Sequence, residues 1–353
     1  MPSGKVTLVC NLKNTFVVKD IALLEQMGYQ VLVIHSPSYS DPLRFFWNRI
    51  REVLLSVIYL PQSKACFSWF NDYHSSIPLF FSRFFKTPFT LIVGGYDAVA
   101  SQRLEYGIFL KKNFRQTLAR WNYTRANAIW VVHKSLAEGC PNAEKDSGAQ
   151  SGIQFFMPYL KTKIKEVPTA YDSNFWKSNK SKTPKSVLTV ANISDQRTFE
   201  RKGIPLFIEM AKALPDFKFT LAGMETTAEP TAIYPKNVTL LGKQTRRALQ
   251  TLYASHTYYF QGSQIEGLPN VLCEAMLCEC IPIGKKVFGI PDAIGDTGFL
   301  FDSTTPIKEI TSFFSFENTE LGVMARQRIK EYYPMTRRKK AFETSLMQKE
   351  NDG

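Results

Sequence analysis

Two successive series of short apolar runs, each alternating with amphipathic segments, constrain the fold more than any other feature of the sequence. The first series consists of the runs 5–10, 31–34, 65–70, 88–93, 128–132 and 163–168. The second consists of the runs 186–191, 217–223, 238–242, 256–260 and 281–284. Because strands that alternate with helices build parallel sheets, each series predicts a doubly wound, Rossmann-like α/β domain.

The boundary between the two series is a polar, lysine-rich segment that ends in proline. We therefore predict an N-terminal domain at 1–175, a linker at 176–184, a C-terminal domain at 185–330 and a terminal helical segment at 331–353. A chain of 353 residues has room for two domains, each with its own core.

The charge of the chain indicates an anionic partner. The formal net charge is +13, and the aromatic residues include 27 Phe, 15 Tyr and 5 Trp. Basic residues mixed with aromatic ones favour an anionic membrane surface over nucleic acid, for which no recognised module occurs. Six cysteines without zinc-type spacing and four scattered histidines do not indicate a metal site. The first residues lead straight into a strand-like run, so we expect no signal peptide, reduced thiols and a cytoplasmic protein.

Residues 41–60 carry an apolar stripe that has two interpretations. Its members recur at helical spacing: Leu43, Phe46, Trp47, Ile50, Val53, Leu54, Val57 and Ile58. Such a helix packs on the first sheet in one interpretation. It lies in the plane of a membrane in the other, with neighbouring arginines at the lipid headgroups.

Four further segments give local expectations. Residues 103–125 are predicted to form one long helix that carries six basic residues, and 141–151 a polar loop. A helix is expected to begin at Arg201-Lys202-Gly203 and to end at Leu214. The basic cluster 337–340 is interpreted as a solvated helix face or as a membrane contact.

The stretch 264–276 carries the clearest chemical signal. It follows an apolar strand, turns at Gly267 and enters a helix with Pro269 in the predicted first turn. Free backbone N–H groups at such a helix start attract phosphate or another anion. Two carboxylates, Glu266 and Glu274, flank this turn, and because they would repel phosphate at close range we expect them to meet neutral groups such as sugar hydroxyls.

This stretch also resembles the retaining glycosyltransferases of family four, through two glutamates separated by seven residues, with Gly-Leu-Pro after the first. The resemblance implies the GT-B fold, in which two Rossmann-like domains face each other across a cleft. It implies that Glu274 holds the ribose of a nucleotide-sugar and that Glu266 lies beside the donor sugar. The donor-binding turn would comprise Gly267, Leu268, Asn270 and Val271, with Lys202 as a phosphate-binding and catalytic lysine. The N-terminal domain would bind the acceptor, and the terminal helix would cross back to it.

The chain departs from this family at several places. Residues 11–15 lack the usual glycine-rich loop, and the acceptor turn Gly94-Gly95-Tyr96-Asp97 lacks the usual histidine. Asn192 stands where the family has a phosphate-binding arginine, so Arg197 or Arg201 would replace it. Asp97 is an acceptor contact or a base in one interpretation and a turn-forming residue in the other.

This resemblance implies a retaining, metal-independent hexosyltransferase of the bacterial or archaeal cell-surface glycan type. No Asp-x-Asp motif occurs, so we expect no metal and no cofactor besides the nucleoside diphosphate sugar itself. The predicted acceptor is a lipid-linked glycan or glycolipid, reached from the inner face of the cell membrane. Two alternatives stay open, namely a GT-B sugar-nucleotide epimerase and a non-catalytic protein that binds sugar-nucleotides or glycans.

Overall fold

The structure is a computed structural model that describes residues 4–178, 181–225, 232–315 and 320–351, with side chains to residue 347. It contains two six-stranded parallel sheets, each flanked by helices. The prediction of a GT-B fold, with two Rossmann-like domains facing across a cleft, is confirmed.

The first sheet has the strand order β2-β1-β3-β4-β6-β8. Its strands are β1 Gly4–Cys10, β2 Tyr29–His35, β3 Ser63–Trp69, β4 Phe89–Val93, β6 Ala128–Val131 and β8 Ile164–Glu166. A separate antiparallel pair is formed by β5 Val99–Ala100 and β7 Gln150–Ser151. All five residues of β4 are buried, as expected for a central strand covered on both faces.

The helices of the first half are α1 Thr15–Gln26, α2 Pro42–Tyr59, α3 Tyr73–Phe84, α4 Phe114–Arg125, α5 Ser135–Glu138, α6 Pro141–Ser147 and α7 Ile153–Phe156. Right-handed crossovers place α1 on one face of the first sheet and the layer α2–α3–α4 on the other. Within that layer α3 packs between α2 and α4.

The second sheet has the strand order β11-β10-β9-β12-β13-β14. Its strands are β9 Thr183–Ile193, β10 Lys218–Met224, β11 Val238–Leu241, β12 His256–Gln261, β13 Ile281–Lys285 and β14 Phe299–Phe301. The remaining helices are α8 Gln196–Arg201, α9 Ile204–Ala213, α10 Arg246–Ser255, α11 Asn270–Leu277, α12 Ile290–Ile294, α13 Ile307–Ser312, α14 Glu320–Tyr332 and α15 Met335–Asn351.

Helix α15 packs on the first sheet, although it is the last element of the chain. Its Phe342 lies against Phe67 and Trp130, with ring centroids 4.9 and 5.3 Å apart. Its Arg338 is 1% exposed and donates to both carboxylate oxygens of Asp20 on α1, at 3.0 and 2.6 Å. The basic cluster 337–340 is therefore not simply a solvated face, because one of its members is buried.

The long helix predicted for 103–125 is wrong in its first half, because α4 begins only at Phe114. Gly107 has φ +114°, and a Cβ there would lie 1.9 Å from the carbonyl oxygen of Val99. A bridge between Ser101 and Tyr106 holds this segment in turns. The side chain of Asn113 then caps α4 by accepting the Gln116 N–H.

The polar loop predicted for 141–151 is also wrong. Pro141 occupies the first turn of α6, where its missing N–H costs least, and Gly148 ends the helix in the left-handed conformation at φ +63°. Gln150 and Ser151 then pair with β5.

The predicted linker 176–184 is more ordered than its composition suggests. Asn179 and Lys180 lie outside the described residues. Trp176 is 1% exposed and Thr183 already begins β9, so this segment is packed at both ends. Of the predicted domains, residues 1–3, 226–231, 316–319 and 352–353 also lie outside the described ranges.

Candidate active site

The turn from β12 to α11 presents the uncapped positive end of a helix to the cleft. Pro269 is the N-cap residue, one position earlier than predicted, and no side chain caps this end. The first turn of α11 contains no acidic residue. The backbone N–H groups at this helix start can therefore bind an anion.

Lys202 and Glu266 form an ion pair beside that turn. The Lys202 Nζ lies 2.8 and 3.2 Å from the two carboxylate oxygens of Glu266, and both side chains are less than a fifth exposed. Burial lowers the pKa of Lys202, which Glu266 opposes and Arg201 reinforces. The pair thus places one cation and one carboxylate at the floor of the cleft.

Backbone contact between two turns fixes that pair. Gly203 has φ +73°, and a Cβ on it would lie 2.1 Å from the carbonyl oxygen of Gly262. Helix α8 ends at Arg201, and α9 runs from Ile204 to Ala213 with Gly203 as its N-cap and Leu214 as its C-cap. The predicted helix is therefore confirmed from Gly203 onward, whereas Arg201 and Lys202 precede it. Lys202 lies between two helices, and its charge is compatible with the C-terminus of α8.

Glu274 points inward from α11 and is 3% exposed. Its Oε1 accepts a hydrogen bond of 2.8 Å from Lys19, which belongs to α1 of the first domain. The Lys19 Nζ also lies 3.4 Å from Asn270 Oδ1 and 4.5 Å from the ring centroid of Tyr171. No local signal in the sequence indicates Lys19, because it lies 255 residues from its partner.

The turn after β4 is held together by Asp97. Its carboxylate accepts the N–H groups of Gly94, Gly95 and Asn71 at 3.1, 2.9 and 3.0 Å. Asp97 is fully buried, and burial raises its pKa to about 6 despite these donors. The geometry favours the turn-forming alternative over a direct acceptor contact by Asp97, whereas the Gly94–Gly95 backbone remains at the cleft.

The two candidate turns touch each other. A Cβ built on Gly267 would lie 2.6 Å from the carbonyl oxygen of Gly94 and 2.7 Å from the side chain of Val132. Gly289 in turn donates its N–H to the Gly267 carbonyl at 2.9 Å. The predicted donor turn and the predicted acceptor turn are thus brought together at one point of the cleft.

His133, at the end of β6, ties the two domains together beside this contact. Its Nδ1 accepts the Ser135 N–H at 3.3 Å, so Nε2 carries the proton and donates to Asp292 at 2.9 Å. Burial opposes ionisation of Asp292, but hydrogen bonds from His133 and Lys134 outweigh it and lower the pKa of Asp292. Both ring nitrogens are occupied, which suits a structural role for His133.

The candidate arginines lie at the mouth of the cleft. Arg197 is largely exposed and pairs with Glu105 and Asp195 at 3.3 and 3.1 Å. Arg201 lies over the ring of Tyr106 at 4.6 Å. Burial raises the pKa of Tyr106 to about 12, and the nearby charge of Glu266 adds to this effect. Tyr106 thus lies beside Arg201, and no local pattern in the sequence indicates it.

The other predicted site residues differ in which of their atoms are accessible to a ligand. Leu268 is 5% exposed, so only its backbone can meet a ligand, and Val271 packs partly against the core. Tyr96 is half-buried against Tyr106 at 5.2 Å. Asn192, at the position of the missing arginine, points outward and donates to Glu225 at 3.2 Å.

Two properties of the described ranges bear on the predicted partners. No group of three or more His, Cys, Asp or Glu side chains there could hold a metal ion. Among the same residues, no helix combines the length and the hydropathy needed to cross a bilayer.

Comparison with known proteins defines the class to which this architecture corresponds. Residues 171–331 match the family model described as Glycosyl transferases group 1. That match covers the second sheet with both glutamates and leaves the first sheet unmatched. The second half of the chain therefore has the sequence pattern of a group 1 glycosyl transferase. No curated protein matches the chain.

Solved structures establish the fold of the whole chain. A sucrose-phosphate synthase from Thermosynechococcus elongatus is 12% identical, with 99% of this chain and 100% of that chain covered and a TM-score of 0.73. HepE of Anabaena, in complex with UDP and glucose, is 15% identical over 97% and 99% of the two chains, with a TM-score of 0.64. A glycosyltransferase from Rickettsia africae is 11% identical over the full length of both, with a TM-score of 0.68. At these identities the likeness concerns the fold alone.

Proposed function

We propose that this protein is a retaining glycosyltransferase that moves a sugar from a nucleoside diphosphate donor to a hydroxyl group. The observation that carries the proposal is the Lys202–Glu266 pair beside the uncapped start of α11. It lies where the β12–α11 turn meets the Gly94–Gly95 turn of the other domain. A donor bound there would face an acceptor held by the first domain.

The donor diphosphate would be held by fixed positive groups. These are the amides after Glu266, Lys202 and an arginine, for which Arg201 is preferred because its charge already acts on Lys202. Charge that develops on the departing diphosphate would be stabilised by groups that need no rearrangement. In this proposal no metal is required.

The sugar and ribose would be held by the two carboxylates. Glu266 would orient the donor sugar and steady its developing positive charge. Glu274 would accept ribose hydroxyls through the carboxylate oxygen that Lys19 leaves free, or through both oxygens once Lys19 moves away. The acceptor hydroxyl would attack on the leaving-group face and lose its proton to a phosphate oxygen of the donor. The new glycosidic bond then replaces the bond to phosphate with retention of configuration.

The proposed acceptor is a lipid-linked glycan or a glycolipid used in cell-surface polysaccharide synthesis. Its support is the charge of +13 together with the abundance of aromatic residues. In this proposal the protein works in the cytoplasm, peripherally on the inner face of the cell membrane.

One observation favours a second candidate, a non-catalytic relative that binds sugar-nucleotides. Asn192 supplies no cation at the end of β9 and instead pairs with Glu225. This candidate predicts donor binding without turnover, so an assay for sugar transfer or donor hydrolysis separates it from the enzyme.

The proposal is tested by thermal shift against UDP, GDP, ADP and CMP. UDP is the first choice, because the HepE structures contain UDP. A ligand at one hundred times its Kd stabilises the folded state by about 2.7 kcal/mol. We therefore expect one nucleoside diphosphate to raise the Tm of the wild type by a few degrees.

Two variants complete this test. The shift should vanish in Glu274→Ala and persist in Glu209→Ala, an exposed glutamate of α9. Absence of a shift with all four nucleotides would overturn the proposed donor site.

A further inference from the structure

Helix α2 is inverted with respect to its own domain. Its buried residues are Asn48, Glu52 and Ser56, which are polar and spaced four apart. Most of its apolar residues face outward, with exposed fractions of 59% for Phe46 and 65% for Trp47, while Leu55 and Tyr59 pack partly against the core. A helix that packs on a sheet normally shows the opposite arrangement.

The buried polar face of α2 is held by specific partners. Asn48 Nδ2 donates to Ser36 Oγ at 3.1 Å, and Arg49 also donates to that hydroxyl at 2.6 Å. The Arg49 guanidinium lies 2.8 Å from the carboxylate of the fully buried Glu52. These contacts fix the rotation of α2, so its apolar stripe stays on the outside.

The apolar surface continues from α2 onto the neighbouring helices. Phe80 and Phe84 of α3 are 57% and 72% exposed, and Phe114 of α4 is 73% exposed. A groove of about 500 Å³ crosses the layer α2–α3–α4, and its walls are almost entirely apolar. Monomeric soluble proteins rarely expose a continuous apolar surface of this extent without a partner.

The charges on the layer α2–α3–α4 indicate an anionic partner. The sequences of α2, α3 and α4 contain one carboxylate, Glu52, which is buried. They contain seven arginines: Arg44, Arg49, Arg51, Arg83, Arg115, Arg120 and Arg125. Five of them are exposed, whereas Arg49 and Arg120 are partly buried. Exposed apolar side chains and exposed cations on the same helices fit the acyl boundary and headgroups of an anionic bilayer. A symmetric dimer through this face would oppose two sets of arginines, because both copies present the same patch.

We propose that the layer α2–α3–α4 docks on an anionic lipid bilayer, with α2 lying in the membrane plane. Phe46, Trp47 and Leu54 enter the acyl boundary, while Arg44 and Arg51 meet the headgroup phosphates. The inference rests on the proposed function only where it links this surface to a membrane-bound acceptor.

The docking surface is connected to the acceptor turn. Phe45 of α2 contacts Tyr73 of α3 at 5.5 Å between ring centroids. Arg115 lies 5.7 Å from the Tyr73 ring and 5.9 Å from the ring of Tyr96, which follows Gly95. These contacts place the docking surface next to the acceptor turn, so a lipid-linked acceptor held at the bilayer would lie near the cleft.

The test is flotation of the full chain with vesicles of phosphatidylglycerol and phosphatidylcholine at low salt. The double variant Phe46→Glu/Leu54→Glu should lower the partition coefficient at least tenfold. The matched control is Val323→Glu/Met324→Glu, which changes two exposed apolar residues of α14 in the other domain. The control should float like the wild type, and circular dichroism should show both variants folded.

A second readout uses Trp47, the most exposed of the five tryptophans, since Trp69, Trp130 and Trp176 are buried. Lipids brominated near the headgroup end of their chains should quench the wild type more strongly than Trp47→Phe, which keeps only the half-buried Trp121 in the groove. Unchanged flotation of the Phe46→Glu/Leu54→Glu variant, or equal loss in the control, would overturn the inference. So would a dimer in sedimentation that this double variant converts to monomer.

The nucleotide thermal shift separates the two proposals. The Phe46→Glu/Leu54→Glu variant should keep the shift of the wild type. Loss of flotation without loss of the shift supports the docking surface. Flotation of the wild type without any nucleotide shift would overturn the donor site and leave the docking surface standing.

Discussion

His74 is a buried histidine with one ring nitrogen in use. It is fully buried on α3, and its Nε2 donates to the Trp69 carbonyl at 2.9 Å, while Nδ1 has no partner. Burial lowers the pKa of His74 from 6.5 to about 4. The folded protein therefore holds this imidazole neutral at pH values where the unfolded chain protonates it.

The stability of the first domain should consequently fall in acid. Between pH 6.5 and about 4 the unfolded chain binds a proton at His74 that the folded chain does not, so stability decreases as pH falls. The loss attributable to this residue is about 3 kcal/mol, at 1.36 kcal/mol per pKa unit. In His74→Gln, whose amide can still donate to Trp69, urea unfolding at pH 7 and pH 4.5 should show a smaller acid loss. An identical loss in wild type and variant would contradict the assignment.

Replacement of Lys202 should lower kcat more than it weakens binding of the donor. Removing one preorganised group that stabilises developing charge costs about 10²–10³ in kcat. We expect that loss for Lys202→Met in a transfer assay, and near wild-type activity for Lys212→Met, an exposed lysine of α9. A kcat that is unchanged in Lys202→Met would place the diphosphate elsewhere.

At the scale of elements, the contact between the two turns depends on the absence of a side chain at Gly267. A Cβ there would lie 2.6 Å from a backbone oxygen that cannot move aside easily. Overpacking of this kind costs about 1–3 kcal/mol. Gly267→Ala should lower the Tm and weaken transfer, because it separates the turns.

Gly242→Ala is the control for this prediction, since a Cβ there would meet only Met224 O at 3.8 Å. Equal Tm values for the two alanine variants would show that the turns are not in tight contact.

The strands and α11 were predictable because their apolar runs and turn residues are local signals. The face of α2 was not, because periodicity shows that a stripe exists but not which side of the helix meets the sheet. The partner that decides it is Ser36, which binds Asn48 and Arg49. The absence of helix at 103–113 could not be predicted either, because the close approach of Gly107 to Val99 is a tertiary contact.

At the scale of the whole molecule, the candidate site joins residues that the sequence places far apart. The turn with Glu266 and Glu274 was identified from spacing and resemblance, since its parts are neighbours in the chain. Lys19, Arg103 and Tyr106 come from the other domain, and Arg103 bonds Gln264 across the cleft. Only the packing of the two sheets brings them together.

Arg338 links the end of the chain to its beginning. Besides Asp20, its guanidinium donates to the carbonyls of Val167 and Pro168 at 2.8 and 3.3 Å. Removing one partner of a buried ion pair costs about 3–5 kcal/mol. Arg338→Leu should lose that much in urea unfolding followed by tryptophan fluorescence.

The neighbouring Arg337 provides the control, because it is half exposed and bonds only the Tyr332 carbonyl closely. Arg337→Leu should change stability by less than about 1 kcal/mol. Similar effects for the two leucine variants would contradict the buried pair.

The position of α15 has a consequence for the order of assembly during synthesis. The face of the first sheet that carries Phe67 and Trp130 is completed only when Phe342 arrives. On the ribosome, the first domain therefore emerges with this face uncovered and with Asp20 lacking Arg338. Domains commonly fold in the order in which they are made. The first domain of this chain, by contrast, completes its core only after α15 has been synthesised.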